Sequence, residues 1–600
     1  MKKLSLTPLI GCDIKNKDVE ADMVVFGDQI YTANEGGEFV KAFAVKDGKF
    51  ICVGTVEEVE QYVGANTTVY YSPFVMPSGI EAHAHFLLEQ AFMQKCYIKA
   101  KNEDGTVKSK KDILKIIEEY AEDTGVLDDE NGALFGYGYS QVFLMDENLK
   151  KLYNRDDLDN LWGGKYKDKP VYIAEESLHE AWVNTITLVN ANIDLNNEGH
   201  DPVEGIGRDD DGIATGVLTN EATSYVLQRG FQRSICSEIG YQKVVKDTCA
   251  YLNSMGYTGH YDAWTNFDGT EELYKALKSV DKANDLTCFF TGSYSISDYE
   301  IRENGMSLYG ILDKFKGIRE EYKSKRFDPK FIKLFADGVL ENGTGFLKEP
   351  YTGKYEPYGY GLQVWTQKIM DEIVEVANKY DFPVHVHTLG DASCSEAIHS
   401  FAKSAEKNEK RIRNSLGHCI LIDDNDYELI NDYELIKKYN IGVAINSGWL
   451  SAVGDGFDLY DHIIGPERAK KLYPADKLIQ QGIKPAISTD RPCAEGPINI
   501  FDYMATIILG YDPRSGNQVP RRERSLSVKD AINMLTINGA WMANYENERG
   551  SIEVGKYADF VCADYSPFDC NPRVIHDIEV ASTCFEGKFV YLNNNGKKAD

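Results

Sequence analysis

Val384-His385-Val386-His387-Thr388-Leu389-Gly390-Asp391 is an apolar run that stops at a histidine and meets a glycine where a strand would turn into a loop. Just before it, residues 366–380 carry apolar side chains at helical spacing, and residues 392–405 do so just after it. The alternation extends in both directions. Residues 330–335, 412–418, 441–445 and 485–489 read as strands, and 424–439 as a helix. Strands alternating with helices predict a parallel sheet with crossover helices.

Two more of these strands end as the first does. Asn414-Ser415-Leu416-Gly417-His418 ends in histidine, and Ala486-Ile487-Ser488-Thr489-Asp490 ends in aspartate. In an α/β barrel the reactive side chains sit at the carboxyl ends of the strands. A barrel of about 250 residues allots roughly 31 to each βα unit. His387 and His418 are 31 residues apart, one unit, and His418 and Asp490 are 72 apart, about two.

A further motif, Ile80-Glu81-Ala82-His83-Ala84-His85, puts two histidines on one face of a strand. It precedes His387 by 302 residues, counted from His85, which is too many for plain units. An insertion on the order of 150 residues is therefore expected early in the barrel. Residues 95–225, with short strands and loops rich in Asp, Asn and Gly, are the candidate.

Both ends of the chain read as β. Residues 43–46 and 49–53 flank Asp47-Gly48, a hairpin signal, and residues 21–26 form an apolar run ending at Gly27-Asp28. Near the other end, residues 583–585 and 588–591 flank Glu586-Gly587, after a strand candidate at 557–563. Neither group makes a stable sheet alone. The expectation is one β-sandwich built from 1–77 and 546–600, with the barrel, 78–545, between them.

Composition narrows the function. Asp and Glu number 94 against 65 Lys and Arg, a net charge of −29. Such a chain repels phosphate backbones and anionic membrane surfaces, so no nucleic acid and no membrane are expected. The 12 cysteines contain no CxxC pair and read as reduced thiols of a cytoplasmic protein. The start, Met1-Lys2-Lys3 followed by a short apolar stretch and Cys12, has the outline of a lipoprotein signal. Its apolar region is too short and is broken by Pro8.

Histidines and one aspartate collected at strand ends suit a divalent ion such as zinc. An aspartate beside such an ion can also take a proton from water and pass it to a leaving group.

Here the sequence resembles a known family. Pro77-Ser78-Gly79-Ile80-Glu81-Ala82-His83-Ala84-His85 is similar to the first-strand signature of the amidohydrolase superfamily, and Gly550-Ser551-Ile552-Glu553-Val554-Gly555-Lys556-Tyr557-Ala558-Asp559 resembles its return to the β domain. The closest branch is the third amidohydrolase family, which includes the N-substituted formamide deformylases. Lys333-Leu334-Phe335-Ala336-Asp337-Gly338, His387-Thr388-Leu389-Gly390-Asp391 and Thr489-Asp490-Arg491-Pro492 resemble its hallmarks. Ser177-Leu178-His179-Glu180-Ala181-Trp182-Val183-Asn184 and Gly212-Ile213-Ala214-Thr215-Gly216-Val217-Leu218 resemble its insertion.

The resemblance implies a (β/α)8 TIM barrel with a composite β-sandwich and one or two divalent ions, zinc first. It implies His83, His85 and Asp490 at one ion, and His387 and His418 at a second. Lys333 would bridge both if carboxylated on its ζ-nitrogen; the other reading is an ammonium paired with Asp337. A buried position beside cations favours the neutral amine that carboxylation needs. His385 is expected behind the ligands. His179 and Asn184 would either reach over the barrel mouth to substrate or serve as a hydrogen-bonded loop residue and a helix cap. Arg491 would bind a substrate carboxylate or pair with Glu495. Glu81, Gly417, Arg491 and the stretch after Gly338 depart from the family pattern, and all four are expected around the substrate.

The leading expectation is a hydrolase of a small-molecule carbon–nitrogen bond: an amide, formamide or cyclic amide. Metal-activated hydroxide would attack, and Asp490 would relay the proton. The alternative is a mononuclear deaminase on the same scaffold. A binding protein on a degenerate fold is the non-enzyme reading, which the full ligand set disfavours. The sequence leaves room for a homodimer.

Overall fold

The computed structural model describes residues 19–593, apart from 104–105, 140–152, 177, 197–200, 232–233, 303–306, 409, 423–430, 447–448, 450–456, 494–498 and 515–525. The lipoprotein-like start, Glu495 and residues 424–430 of the expected helix 424–439 lie outside the described residues.

Four strands come first: β1 (Met23–Tyr31), β2 (Phe39–Lys46), β3 (Lys49–Gly54) and β4 (Thr68–Pro77). After Ser78 the chain enters β5 (Gly79–Ala84). The next six strands are β6 (Cys96–Tyr97), β7 (Leu134–Tyr139), β8 (Val171–Glu175), β9 (Glu180–Val183), β10 (Ile206–Arg208) and β11 (Ala214–Thr219). Seven follow: β12 (Tyr257–Asp262), β13 (Phe289–Ser295), β14 (Phe327–Phe335), β15 (Val384–Thr388), β16 (Ser415–His418), β17 (Gly442–Asn446) and β18 (Ala486–Ser488). The last are β19 (Phe560–Ala563), β20 (Val580–Phe585) and β21 (Lys588–Leu592).

β5 and β12–β18 form one parallel sheet of eight strands in chain order. Just past the strand ends it closes on itself: Asp490 N donates to His83 O at 2.9 Å, and His85 N to Arg491 O at 2.7 Å. The interior is filled from several strands by Ala82, Tyr261, Phe331, Ala444 and Ala486, small side chains facing large ones. The helix Gln367–Lys379 buries Met370, Ile373, Val374 and Ala377, which recur at helical spacing. The helix Asp391–Lys407 starts directly after the His387 loop.

The insertion falls between the first and second barrel strands. It folds as a six-stranded sheet in the order β10-β11-β9-β8-β7-β6 over its own core of Ile113, Ile117, Leu134, Ile173 and Trp182.

The β-sandwich from both chain ends is one hydrogen-bonded sheet, β21-β20-β19-β4-β1-β2-β3. It curls until its far parts meet: Phe43 of β2 touches Phe560 of β19, with ring centroids 5.0 Å apart. Gly555 N donates to Phe50 O at 2.8 Å, and Phe50 N to Lys556 O at 3.0 Å. Asp47-Gly48 and Glu586-Gly587 turn the two hairpins with positive φ at every turn residue, 48°, 77°, 45° and 73°.

Of the element boundaries that differ from the sequence reading, two have a plain physical cause. β1 does not stop at Gly27-Asp28, because it runs parallel to β4 through Gly27–Ser72 and Gln29–Phe74. β16 begins at Ser415 and not at 412, because the Asn414 side chain accepts from Val384 N and exchanges amide bonds with Asn378.

Candidate metal centre

Strand alternation carries His83 to the barrel interior, and His85 follows it as the residue before the helix Phe86–Met93. His83 Nε2 and His85 Nε2 each lie 3.4 Å from Asp490 Oδ1. Ligand atoms of these three buried residues lie within 4.8 Å of one another. Lys333 Nζ, from β14, is 3.4 Å from His83 Nε2. His418 Nδ1 is 3.9 Å from Asp490 Oδ2, and its ring is 4.6 Å from that of His83 and 4.4 Å from that of His387. The structure therefore gathers His83, His85, Lys333, His387, His418 and Asp490 at one end of the barrel. His418 and Asp490 both hold left-handed φ, 68° and 53°, a cost that clusters at functional positions.

Several buried atoms here lack any hydrogen-bond partner among the described residues: both ring nitrogens of His418, His85 Nδ1 and Asp490 Oδ1. Such atoms are costly to bury. Neutral imidazoles and a carboxylate facing one point fit a divalent ion. Burial pushes His83 and His418 well below the ordinary imidazole range, keeping their lone pairs free of protons. Burial also pushes Lys333 down to about 7. Lys333 does not pair with Asp337. That carboxylate instead accepts from Leu389 N, Gly390 N and Ser393 Oγ, and lies 3.2 Å from His387 Nδ1. It thereby aims the other ring nitrogen of His387 away from the strand.

His385, for which the sequence named no contact, sits behind His83. Its Nε2 is 2.7 Å from His83 Nδ1, and its Nδ1 is 2.7 Å from Ser415 Oγ. Gly417 makes room for this pair: a Cβ there would lie 2.7 Å from His83 and 2.9 Å from His385. Glu81 accepts from His83 N and Thr489 N, both at 3.0 Å, and burial pushes it up to about 8. Gly417 and Glu81 therefore stand behind the ligands and not around a substrate, as the sequence reading had it.

Arg491 takes a partner the sequence did not name. It pairs with Glu89, a buried residue of the helix after His85. Its guanidinium is thus engaged with a carboxylate of this chain, and Arg491 is absent from the described residues that line the cavity. Asn184 caps the helix Thr185–Asn190 and accepts from Val171 N. His179 lines the cavity, with its ring 6.2 Å from that of His387, and burial pushes it down to about 4.

The cavity above the centre has a volume of about 1090 Å³, at the upper end for small-molecule sites. His85, His387, His418 and Asp490 form its floor, and residues 178–179, 202–206 and 219–224 of the insertion roof it. Among the described residues, no helix is long and apolar enough to cross a membrane.

The chain is 25% identical to the putative amidohydrolase YtcJ of Bacillus subtilis over 575 residues, covering 94% of this chain and 98% of that one. It is 20% identical to an N-substituted formamide deformylase of Arthrobacter pascens, covering 95% and 98%. A solved structure of an uncharacterized metal-dependent hydrolase from Pyrococcus horikoshii superposes with a TM-score of 0.68 at 19% identity, over 92% of this chain and 99% of that one. The amidohydrolase family model matches residues 73–591. With the histidine–aspartate cluster at the carboxyl ends of an eight-stranded barrel, that match places this chain in the amidohydrolase family, metal-dependent hydrolases of carbon–nitrogen bonds other than peptide bonds.

Proposed function

We propose that the chain hydrolyses the carbon–nitrogen bond of a small amide, formamide or cyclic amide in this cavity. The observation that carries the reading is the convergence of His83, His85 and Asp490 within 4.8 Å, beside buried His418 nitrogens that no described protein group satisfies. His83, His85 and Asp490 would hold one divalent ion, zinc first. His387 and His418 would hold a second, with Lys333, if carboxylated, as a further ligand. Bound there, the metal supplies Lewis acidity, lowering the pKa of water and polarising a carbonyl.

The chain's own groups do the rest. Asp490 receives a proton from the attacking water and returns it to the departing nitrogen. Asp337 fixes the tautomer and ring of His387, and His385 with Ser415 does the same for His83. His179, neutral in its burial, orients the substrate from the roof, and the insertion screens the centre from bulk water.

A mononuclear deaminase is the second reading. Its support is that His83, His85 and Asp490 are the compact ligand group among the described residues, and relatives at 24–27% identity include 5-methylthioadenosine/S-adenosylhomocysteine deaminases. Metal content per chain of wild type and Lys333→Ala, expressed with zinc and bicarbonate, separates the two. About two ions falling to one in the variant, with turnover of N-formyl amines, is expected. One ion in both, with ammonia release from aminopurines, selects the deaminase. No turnover of any amide, formamide or cyclic amide by loaded wild type overturns the leading reading.

A further inference from the structure

The wall of the cavity carries a carboxyl group that the proposed mechanism does not use. Glu341 lies on the short 3-10 turn Leu340–Asn342 after β14, and it lines the same cavity as His85, His387, His418 and Asp490. The Tyr460 hydroxyl, from the helix Phe457–Ile464, donates to its Oε1. No Lys, Arg or His among the described residues forms an ion pair with it. Glu341 is deep in the fold but not fully covered, and its remaining surface faces the cavity.

The surroundings have one character. Trp264, Trp365, Trp449, Tyr460 and Phe335 are aromatic walls, and no Lys or Arg is among the described lining residues.

A buried carboxyl with one hydroxyl donor, its own backbone N–H and no counter-charge is costly to ionise, and burial raises Glu341 above the ordinary carboxyl range. A ligand cation supplies the missing charge and the missing donors. Aromatic faces on the same cavity wall add cation–π attraction.

From the juxtaposition of Glu341, Tyr460 and the aromatic walls over the metal centre, we infer that the substrate carries a positively charged nitrogen, and that Glu341 is the residue that selects it. The substrate class is an amide-type compound with an ammonium or similar cationic group outside the bond that is cleaved. This rests on the proposed function for the bond, and on the cavity alone for the charge.

The test is equilibrium binding to zinc-loaded protein, read by tryptophan fluorescence with no turnover required. The probes are benzylammonium and benzyl alcohol, which match in shape and differ in charge. In wild type, benzylammonium is expected to bind about tenfold tighter than benzyl alcohol. In Glu341→Gln, which keeps an acceptor for Tyr460, the advantage falls to about threefold or less, while benzyl alcohol affinity stays unchanged. The unchanged alcohol affinity shows that the variant is folded. Equal affinities in wild type overturn the inference, as does a cation advantage that survives Glu341→Gln. If the advantage is present but no amide is hydrolysed, the charge assignment stands and the proposed reaction falls.

Discussion

Arg491 and Glu89 are joined by two bonds beside the seam where the barrel closes: Arg491 Nη2 donates to Glu89 Oε1, and Nε, 3.4 Å away, to Oε2. The pair ties the loop bearing Asp490 to the helix that follows His85. Backbone bonds run the same way, from His85 N to Arg491 O and from Glu89 N to His85 O. Two candidate ligands, His85 and Asp490, thus flank one largely buried ion pair.

Removing one partner leaves the other charge buried and uncompensated. Arg491→Met is expected to lose about 3–5 kcal/mol of stability. Zinc affinity should fall about 10- to 100-fold, as when a ligand's support is removed. Denaturant unfolding and chelator competition measure the two. A double variant with Glu89→Gln should recover much of the stability. A single variant equal to wild type in both assays would show that the pair positions nothing.

Asp490→Asn should lower kcat by about 10²- to 10⁴-fold, the range for a lost proton-transfer group. Metal content is read on the same sample, since Asp490 is also a candidate ligand. Turnover should fall much further than bound zinc. A fall in proportion to zinc would assign Asp490 to metal holding alone.

Gly417→Ala probes the packing behind His83. Gly417 is not among the residues with positive φ, so the alanine meets no backbone penalty, and its Cβ collides with His83 and His385. A loss of about 1–3 kcal/mol is expected, with weaker zinc binding. Thermal unfolding with and without zinc checks it. A neutral result would mean the His83–His385 contact is not held tightly.

Glu586 gives a pH prediction. It lies between Arg326, Lys325 and Arg549, and although burial alone would raise it, these cations hold its carboxyl down at about 2 against the ordinary 4.5. A depressed pKa contributes stability that is present above pH 4.5 and lost as pH falls through 2. The shift corresponds to about 3 kcal/mol. Glu586→Gln should therefore differ most from wild type above pH 4.5, and the gap should narrow towards pH 2. Denaturant unfolding between pH 2 and 7 reads it; a constant gap would remove the ion pairs from the stability.

The barrel and the strand-end histidines were legible because local pattern and spacing carry them. His387, His418 and Asp490 each end an apolar run, and their separations count βα units. What joins distant stretches left no such trace. Glu89 and Arg491 are 402 positions apart, and nothing near either one marks the other. His385 reads as one more histidine on a strand until β5 is placed across the barrel from β15. Gly417 and Glu81 looked like substrate-side departures because sequence shows which residue changes and not which way it faces. Glu341 fell within the stretch after Gly338, noted only as a departure from the family pattern, and its cavity wall took shape from segments after three different strands.

β4 receives its partner β19 some 480 residues after its own synthesis, since Pro77 pairs with Phe560. At about 5–20 residues per second, a ribosome takes roughly 25–100 s to deliver that strand. Through that interval the nascent chain shows an unpaired edge beside a finished β1–β4 sheet, the kind of surface on which chains stick to one another. Translation arrested anywhere in the barrel therefore releases an adhesive fragment, and β19–β21 act as the closure that makes the product safe to let go.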